Sequence, residues 1–370
     1  MYFKEVNLHQ FRNYEEQSVS FDKNVNVFVG ENAQGKTNLL EGLYVMGLGK
    51  SFRTSRDSDM IGFGKDFARV ATVVCDEQEA DSEKEIEIVF KKEGKIIRVR
   101  GLKLDRSAEL LDEVYIVVFS PEDLRIIKEG PEHRRRFLDR ELCQYKPVYY
   151  NTLGQYRRVL RHRNALLRAC GADGALLGTY DEALADYGMR VVRERQVFVR
   201  RLEEISAEIH SAITEGSEQL SIRYDGDFVS TKDREEILDK DQIIHLLHKN
   251  REKDERRGYT EAGPHRDDLT IFINGTDSRQ FGSQGQQRTA ALAMRLAEIR
   301  LIEEETGKKA ILLLDDVLSE LDEKRQTYLI EAMRDVQVFI TSTGIDEDLL
   351  QRLPSGSLFR IDGGLVNKLT

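Results

Sequence analysis

Gly30-Glu31-Asn32-Ala33-Gln34-Gly35-Lys36-Thr37 spells a complete G-x-x-x-x-G-K-[ST] loop, and its flanks leave few folds open. The apolar run Val25–Val29 leads in as a strand, and the residues from Asn38 to Leu43 lead out with helical character. A strand, a glycine loop and a helix start, in that order, form a phosphate cradle. The glycines let backbone N–H groups wrap the anion, and the helix behind them adds its dipole. In such a loop Lys36 reaches the β- and γ-phosphates and the Thr37 hydroxyl holds Mg2+. Composition alone would produce this pattern in a comparable chain roughly once in a hundred tries. A chance glycine-rich turn is therefore the weaker reading, and a nucleoside triphosphate is the expected ligand.

The rest of the composition narrows the setting. A chain of 370 residues has room for two domains or one large divided domain. Charged residues make up 33% of it and the net charge is −10, which suits a soluble, acidic, cytoplasmic protein. No apolar stretch approaches the ~20 residues of a membrane helix, since Val114–Phe119 is only strand length. Met1-Tyr2-Phe3-Lys4-Glu5 lacks the apolar core of a signal peptide. Cys75, Cys143 and Cys170 are scattered, without C-x-x-C spacing, and read as reduced thiols. The seven histidines form no cluster that suggests zinc.

Strands and turns around one helix are expected over the first 120 residues: Tyr2–Phe11, Ser18–Phe21, Val25–Val29, Ala68–Cys75, Glu85–Phe90 and Ile96–Arg100. From Pro131 to Lys253 the texture turns helical, broken at Gly171-Ala172-Asp173-Gly174 and by a strand-like interruption near Gly226. After Gly263-Pro264 short strands and helices resume. The expected fold is α/β, with one lobe (1–120 plus 300–370) interrupted by a mostly helical second lobe (121–299).

On the far side of that insertion, Ile311-Leu312-Leu313-Leu314 ends in Asp315-Asp316. A buried parallel strand presents acids at its carboxyl end in this way. Asp315 is the candidate for ordering Mg2+ and Asp316 for orienting the attacking water. Ser283-Gln284-Gly285-Gln286-Gln287-Arg288 opens a helical stretch, with Ser283 a candidate N-cap and the helix start an anion site. Ser319-Glu320-Leu321-Asp322 follows the acids, with Asp322 placed to cap the next helix.

P-loop, S-x-G-Q signature, double acid and D-loop, in this order, resemble the ABC-type ATPases of the SMC kind. Further segments narrow the resemblance to the RecF family: Leu8–Tyr14, Gly49-Lys50-Ser51-Phe52-Arg53, Phe119–Leu124, Gly130–Asp139 and Gly263–Leu269. SMC proteins proper need a far longer insertion for their coiled coil. The resemblance implies an ABC-type P-loop ATPase lobe, with ATP and Mg2+ as cofactors. It also implies a site shared between two copies. Gly30–Asn38, with Arg12 and Asn13 nearby, bind ATP in one copy, and Ser283, Gln284, Gly285 and Gln286 close over it from the other. Ser319 and Asp322 form the D-loop. The implied biology is ATP-driven dimerisation on double-stranded DNA near gaps or junctions, with RecR and RecO assisting the loading of RecA.

The pattern departs from the wider ATPase class in three places. Asp316 replaces the usual Glu, Glu122 stands where a lid glutamine is expected, and Thr341-Ser342-Thr343 stands where a switch histidine is expected. Together these suggest a weak, slow, switch-like ATPase, and the resemblance implies that DNA stimulates it. For DNA, the basic stretch from Arg134 to Arg168 offers Arg157, Arg158, Arg161 and Arg168 on one helix side, opposite Leu153, Tyr156, Val159, Leu160 and Leu167. A solvated charged face is the plainer reading of the same pattern. Arg134, Arg135 and Arg136 are alternative candidates for ATP or the dimer interface. His265 faces either DNA, the second copy or a turn held by Pro264. Two rivals remain, the ATPase subunit of a transporter and an ATPase–nuclease.

Overall fold

The apolar runs Val25–Val29, Ile311–Asp315 and Val338–Ser342 are buried nearly end to end and lie side by side as parallel strands. Continuous apolarity is what a strand covered on both faces requires. In the computed structural model, which describes residues 1–76, 83–169, 174–230, 236–344 and 347–370, they sit inside a six-stranded sheet. Its order is Leu365–Lys368, Gly356–Asp362, Val25–Val29, Val338–Ser342, Ile311–Asp315 and Ile116–Phe119. Only the Leu365–Lys368 edge strand is antiparallel. Cys170 and the break expected at 171–173 lie outside the described residues.

The chain divides into two units. One comprises Met1–Asp123 and Arg295–Thr370, the other Leu124–Met294. In the first, a second six-stranded sheet, antiparallel, runs in the order Tyr14–Ser20, Tyr2–Phe11, Phe67–Cys75, Glu83–Lys91, Gly94–Val99 and Leu102–Lys103. The helix Lys36–Leu48 that follows the P-loop shares one core with both sheets. Its Leu39, Leu40, Leu43, Val45 and Met46 pack with Val6, Phe11, Val70, Ile86 and Ile88 and with Phe28, Ile311, Leu313 and Phe339. Each such large apolar side chain contributes roughly 1.5–3 kcal/mol on burial. The helix is apolar nearly all round because it is covered nearly all round.

The second strand begins at Tyr14 rather than the expected Ser18. A turn at Arg12-Asn13, with Arg12 at φ 55°, pairs Phe11 directly with Tyr14. Exposed Glu15 and Glu16 mask this strand in the sequence.

The second unit holds the helices Pro131–Tyr145, Pro147–Arg168, Gly174–Ile213 and Lys240–Arg257. Beside them lies a three-stranded antiparallel sheet of Thr276–Asp277, Asp268–Ile273 and Leu220–Asp225. Pro147 starts its helix at a position where a missing N–H leaves no bond unmade. No described helix is long and apolar enough to cross a membrane.

Candidate nucleotide-binding site

The loop from Gly30 to Thr37 is held by contacts that only its sequence permits. Gly35, at φ 119°, caps the helix; a Cβ there would lie 2.7 Å from Asn13 Nδ2 and 3.0 Å from the Tyr14 hydroxyl. A Cβ on Gly30 would meet the Ile361 carbonyl oxygen at 2.4 Å. The hairpin turn at Arg12-Asn13 pins the loop from one side. Asn13 Nδ2 donates to the Gln34 carbonyl at 3.0 Å, and the Tyr14 hydroxyl donates to the Gly35 carbonyl at 2.9 Å. The turn at Gly363-Gly364 pins it from another: Gly364 N donates to the Gln34 carbonyl and Gly363 N to Gln34 Oε1 at 2.6 Å. Glu31, Asn32 and Ala33 are left exposed at the crest.

Lys36 is buried, and its ammonium donates to the carbonyls of Gly30 at 2.6 Å and Glu31 at 3.0 Å. The cation therefore sits inside the loop that would wrap the phosphates. Thr37 Oγ1 donates to Asp315 Oδ1 at 3.0 Å, joining residues 278 apart in the chain. Thr341 Oγ1 donates to the same oxygen at 2.8 Å. Burial raises the Asp315 carboxyl above the ordinary carboxylate range, and Asp316 adds to this, while the hydroxyls of Thr341 and Thr37 and the charge of Arg53 oppose it. A carboxylate held in that setting favours a cation beside it. One hydroxyl and one carboxylate beside a phosphate loop suit Mg2+, which binds few protein oxygens and completes its shell with phosphates and water.

Asp316 follows at φ 53°, a left-handed conformation, with its N–H directed at both the carbonyl (3.2 Å) and the hydroxyl (3.1 Å) of Thr341. Ser319 Oγ donates to the Asp316 carbonyl at 3.0 Å. Asp322 caps the helix Glu323–Ala332 by accepting from Arg325 N at 2.9 Å.

Arg12 and Asn38, both named from the sequence, belong to a polar cluster against the P-loop helix. Arg12 donates through Nε and Nη2 to fully buried Glu41 at 2.8 and 2.6 Å. Ser51 donates to the same carboxylate, and Arg53 Nη1 lies 3.6 Å from it. Arg53 Nη1 also donates to Asn38 Oδ1, and Asn38 Nδ2 to Asn13 Oδ1, each at 2.8 Å. Glu41, Ser51, Arg53 and Thr341 were missed as site residues. The signals available were an acid inside an apolar helix, a Lys-Ser-Phe-Arg segment just after it, and a hydroxyl where a histidine was sought.

In the second unit the signature residues open the helix Gln284–Thr306. Ser283 N donates to Gln286 Oε1 at 2.9 Å and Ser283 Oγ accepts from Gln286 N at 3.2 Å, a reciprocal capping box. Gln286 Nε2 donates to Glu218 at 2.9 Å. Ser283 and Gln284 are exposed, Gly285 and Gln286 half-buried.

The basic helix Pro147–Arg168 turns Tyr149, Leu153, Tyr156 and Leu167 inward and leaves Arg157, Arg158, Arg161 and Arg168 exposed. Arg157 also donates to Asp139 at 2.7 Å. Arg134 is buried and paired through two nitrogens with Asp268, at 2.6 and 2.9 Å, so it is committed within its own unit. Arg135 donates to the Asp267 carbonyl and Arg136 to Glu132. His265 is occupied on both ring nitrogens, with Nε2 on the Thr260 carbonyl at 2.9 Å and Nδ1 on the Tyr156 hydroxyl at 2.7 Å. It stabilises its turn and leaves no ring nitrogen for DNA or a second copy. Glu122 is exposed.

The family model described as RecF/RecN/SMC N terminal domain matches residues 2–352. The chain is 42% identical to the DNA replication and repair protein RecF of Clostridium kluyveri, over the full length of both. It is 41% identical to the protein of that name from Clostridium tetani, covering 98% of this chain and 99% of that one. Among solved structures, the recombination mediator protein RecF-ATP in the RecFOR pathway is similar at a TM-score of 0.92 and 39% identity, covering 100% of this chain and 98% of that one. The SmcHead bound to the C-winged helix domain of ScpA, at 15% identity and a TM-score of 0.56, shares the fold.

Proposed function

We infer what this chain does from one premise: it belongs to the RecF family of DNA replication and repair proteins. It is an ATP-binding ATPase of the RecF and SMC class and acts in ATP-dependent recombinational DNA repair. Beyond that, it is a slow, DNA-stimulated switch. Two copies close around ATP, each offering Gly30–Asn38 to the nucleotide it binds and Ser283–Gln286 to the nucleotide of its partner. The closed dimer engages double-stranded DNA near gaps, with Arg157, Arg158, Arg161 and Arg168 tracking phosphates. Hydrolysis reopens it. RecR and RecO are the expected partners, and RecA the protein whose loading they assist, in the cytoplasm at the nucleoid.

The observation that carries this reading is the Thr37–Asp315 hydrogen bond, which joins the phosphate loop to the acid at the end of the central strand. Thr37 and Asp315 would hold Mg2+, which neutralises charge on the β- and γ-phosphate oxygens when bound. Lys36 would leave the Gly30 and Glu31 carbonyls for those same oxygens, and its full charge inside the loop strengthens that contact. Asp316 would orient the attacking water. Its carboxylate is one methylene shorter than the usual Glu, which supports slow turnover.

Retention on a gapped duplex tests the reading. Wild type in ATP should be held at salt concentrations that release it in ADP, and Lys36→Arg should be released in both. Equal retention in ATP, ADP and no nucleotide would contradict a nucleotide-driven switch.

A further inference from the structure

The strand Val338–Ser342 ends beside the acid-bearing strand, and Thr341 lies in the segment Thr341-Ser342-Thr343, where the ABC-type pattern expects a histidine. Thr341 is 1% exposed. Its hydroxyl touches both catalytic candidates: it lies 2.8 Å from Asp315 Oδ1 and 3.1 Å from Asp316 N. A hydroxyl has one proton to give and two lone pairs to offer. The Asp316 N–H can only donate, so the hydroxyl accepts there and gives its own proton elsewhere. The charged Asp315 oxygen outcompetes the neutral Leu314 carbonyl, which is also farther away at 3.4 Å. The direction of both bonds is thereby set.

Two consequences follow. Asp315 Oδ1 takes hydroxyl donors from Thr37 and Thr341, while Oδ2 accepts no hydrogen bond among the described residues. The carboxylate plane is thus oriented with one oxygen held back and the other left for a cation. Asp316 sits at φ 53°, a left-handed conformation that crowds a Cβ against the backbone. Such a conformation persists only when its surroundings hold it, and Thr341 holds it through both its carbonyl and its hydroxyl.

We propose that Thr341 is a positioning residue of the ATPase site, whose single hydroxyl orients the Asp315 carboxylate and, through the Asp316 N–H, the second acid. The inference rests on the reading of Asp315 and Asp316 as the acid pair of the nucleotide site. It adds a device within the segment that lacks the histidine.

The test compares Thr341→Val, which keeps the shape and removes the hydroxyl, with Thr341→Ser, which restores it. The first readout is equilibrium binding of a fluorescent ATP analogue across a Mg2+ titration, and the second is kcat. In Thr341→Val, binding without Mg2+ should match wild type. Its half-saturating Mg2+ concentration should rise, and its kcat fall, by about tenfold or more. Thr341→Ser should recover most of both. A folded Thr341→Val with the wild-type Mg2+ dependence and kcat overturns the proposal. Should that variant not fold, Thr341→Cys, with only a weak S–H donor, carries the same expectation and the same refutation. Asp315→Asn, run in parallel, separates the two levels. If it leaves the Mg2+ dependence unchanged, the acid-pair reading itself is wrong. If it abolishes that dependence while Thr341→Val does not alter it, only the role of Thr341 falls.

Discussion

Arg163 Nε donates to Asp181 Oδ1 at 2.6 Å, and neither side chain reaches solvent. Arg163 Nη1 reaches Asp254 at 2.7 Å and Thr260 Oγ1 at 2.8 Å, while Arg251 donates to the other oxygen of Asp181. Buried charges of this kind are tolerated because each is paired, and deleting one leaves the others uncompensated. Arg163→Ala should destabilise the second unit by about 3–5 kcal/mol, whereas exposed Arg158→Ala should change stability by under about 0.5 kcal/mol. Urea unfolding monitors both, and equal midpoints for the two variants would contradict this assignment of Arg163.

The same residue marks a limit of sequence reading. Arg163 lies in a run of arginines on one helix, and nothing local separates it from Arg161. Its partners Asp181, Asp254 and Thr260 come from three other segments, so its burial is a tertiary fact. What was legible was local or strongly periodic: the strand, loop and helix around Gly30–Thr37, the buried run ending at Asp315, the capping residues Ser283 and Asp322, and the α/β class. Strand order was not legible, because Val25–Val29 sits between Val338–Ser342 and Gly356–Asp362, partners from the opposite end of the chain. The polar shell of the site was also hidden. Glu41 reads as an interruption of an apolar helix until Arg12 is seen upon it, and Thr341 reads only as part of a segment that lacks a histidine.

His265 and Asp267, two residues apart, should push the pH dependence of stability in opposite directions. Burial pushes the His265 imidazole down to about 4 from its ordinary 6.5. Burial pushes the Asp267 carboxyl up to about 6 from 3.8, although Arg195 and the Tyr224 hydroxyl oppose it. Unfolding lets His265 take up a proton between about pH 4 and 6.5, so its contribution rises with pH by about 3 kcal/mol. The folded state holds the Asp267 proton more tightly than the unfolded chain does, so its contribution falls by about 3 kcal/mol between pH 4 and 6. The two slopes nearly cancel. Asp267→Asn removes the falling one, and its stability should climb relative to wild type between pH 4 and 6. Unfolding curves that keep a constant offset across that range would refute the assignment.

Arg158 and Arg161 are exposed on the inward-anchored helix Pro147–Arg168. If both meet phosphates, the double variant Arg158→Ala/Arg161→Ala should bind duplex DNA more weakly in ATP, without altered sequence preference. The slope of log affinity against log salt should become shallower by about 2. An unchanged slope would reduce this face to ordinary solvated charge.

The central claim is that the nucleotide of one copy is closed by Ser283–Gln286 of another. Sedimentation velocity of wild type and Ser283→Arg, each with ATP, ADP and no nucleotide, tests it most directly. Wild type should dimerise in ATP alone. Ser283→Arg should stay monomeric in ATP while still binding one ATP per chain, because its own phosphate loop, Gly30–Thr37, is untouched. A wild type that is monomeric in every state, or a Ser283→Arg variant that dimerises as well as wild type, would contradict the shared site.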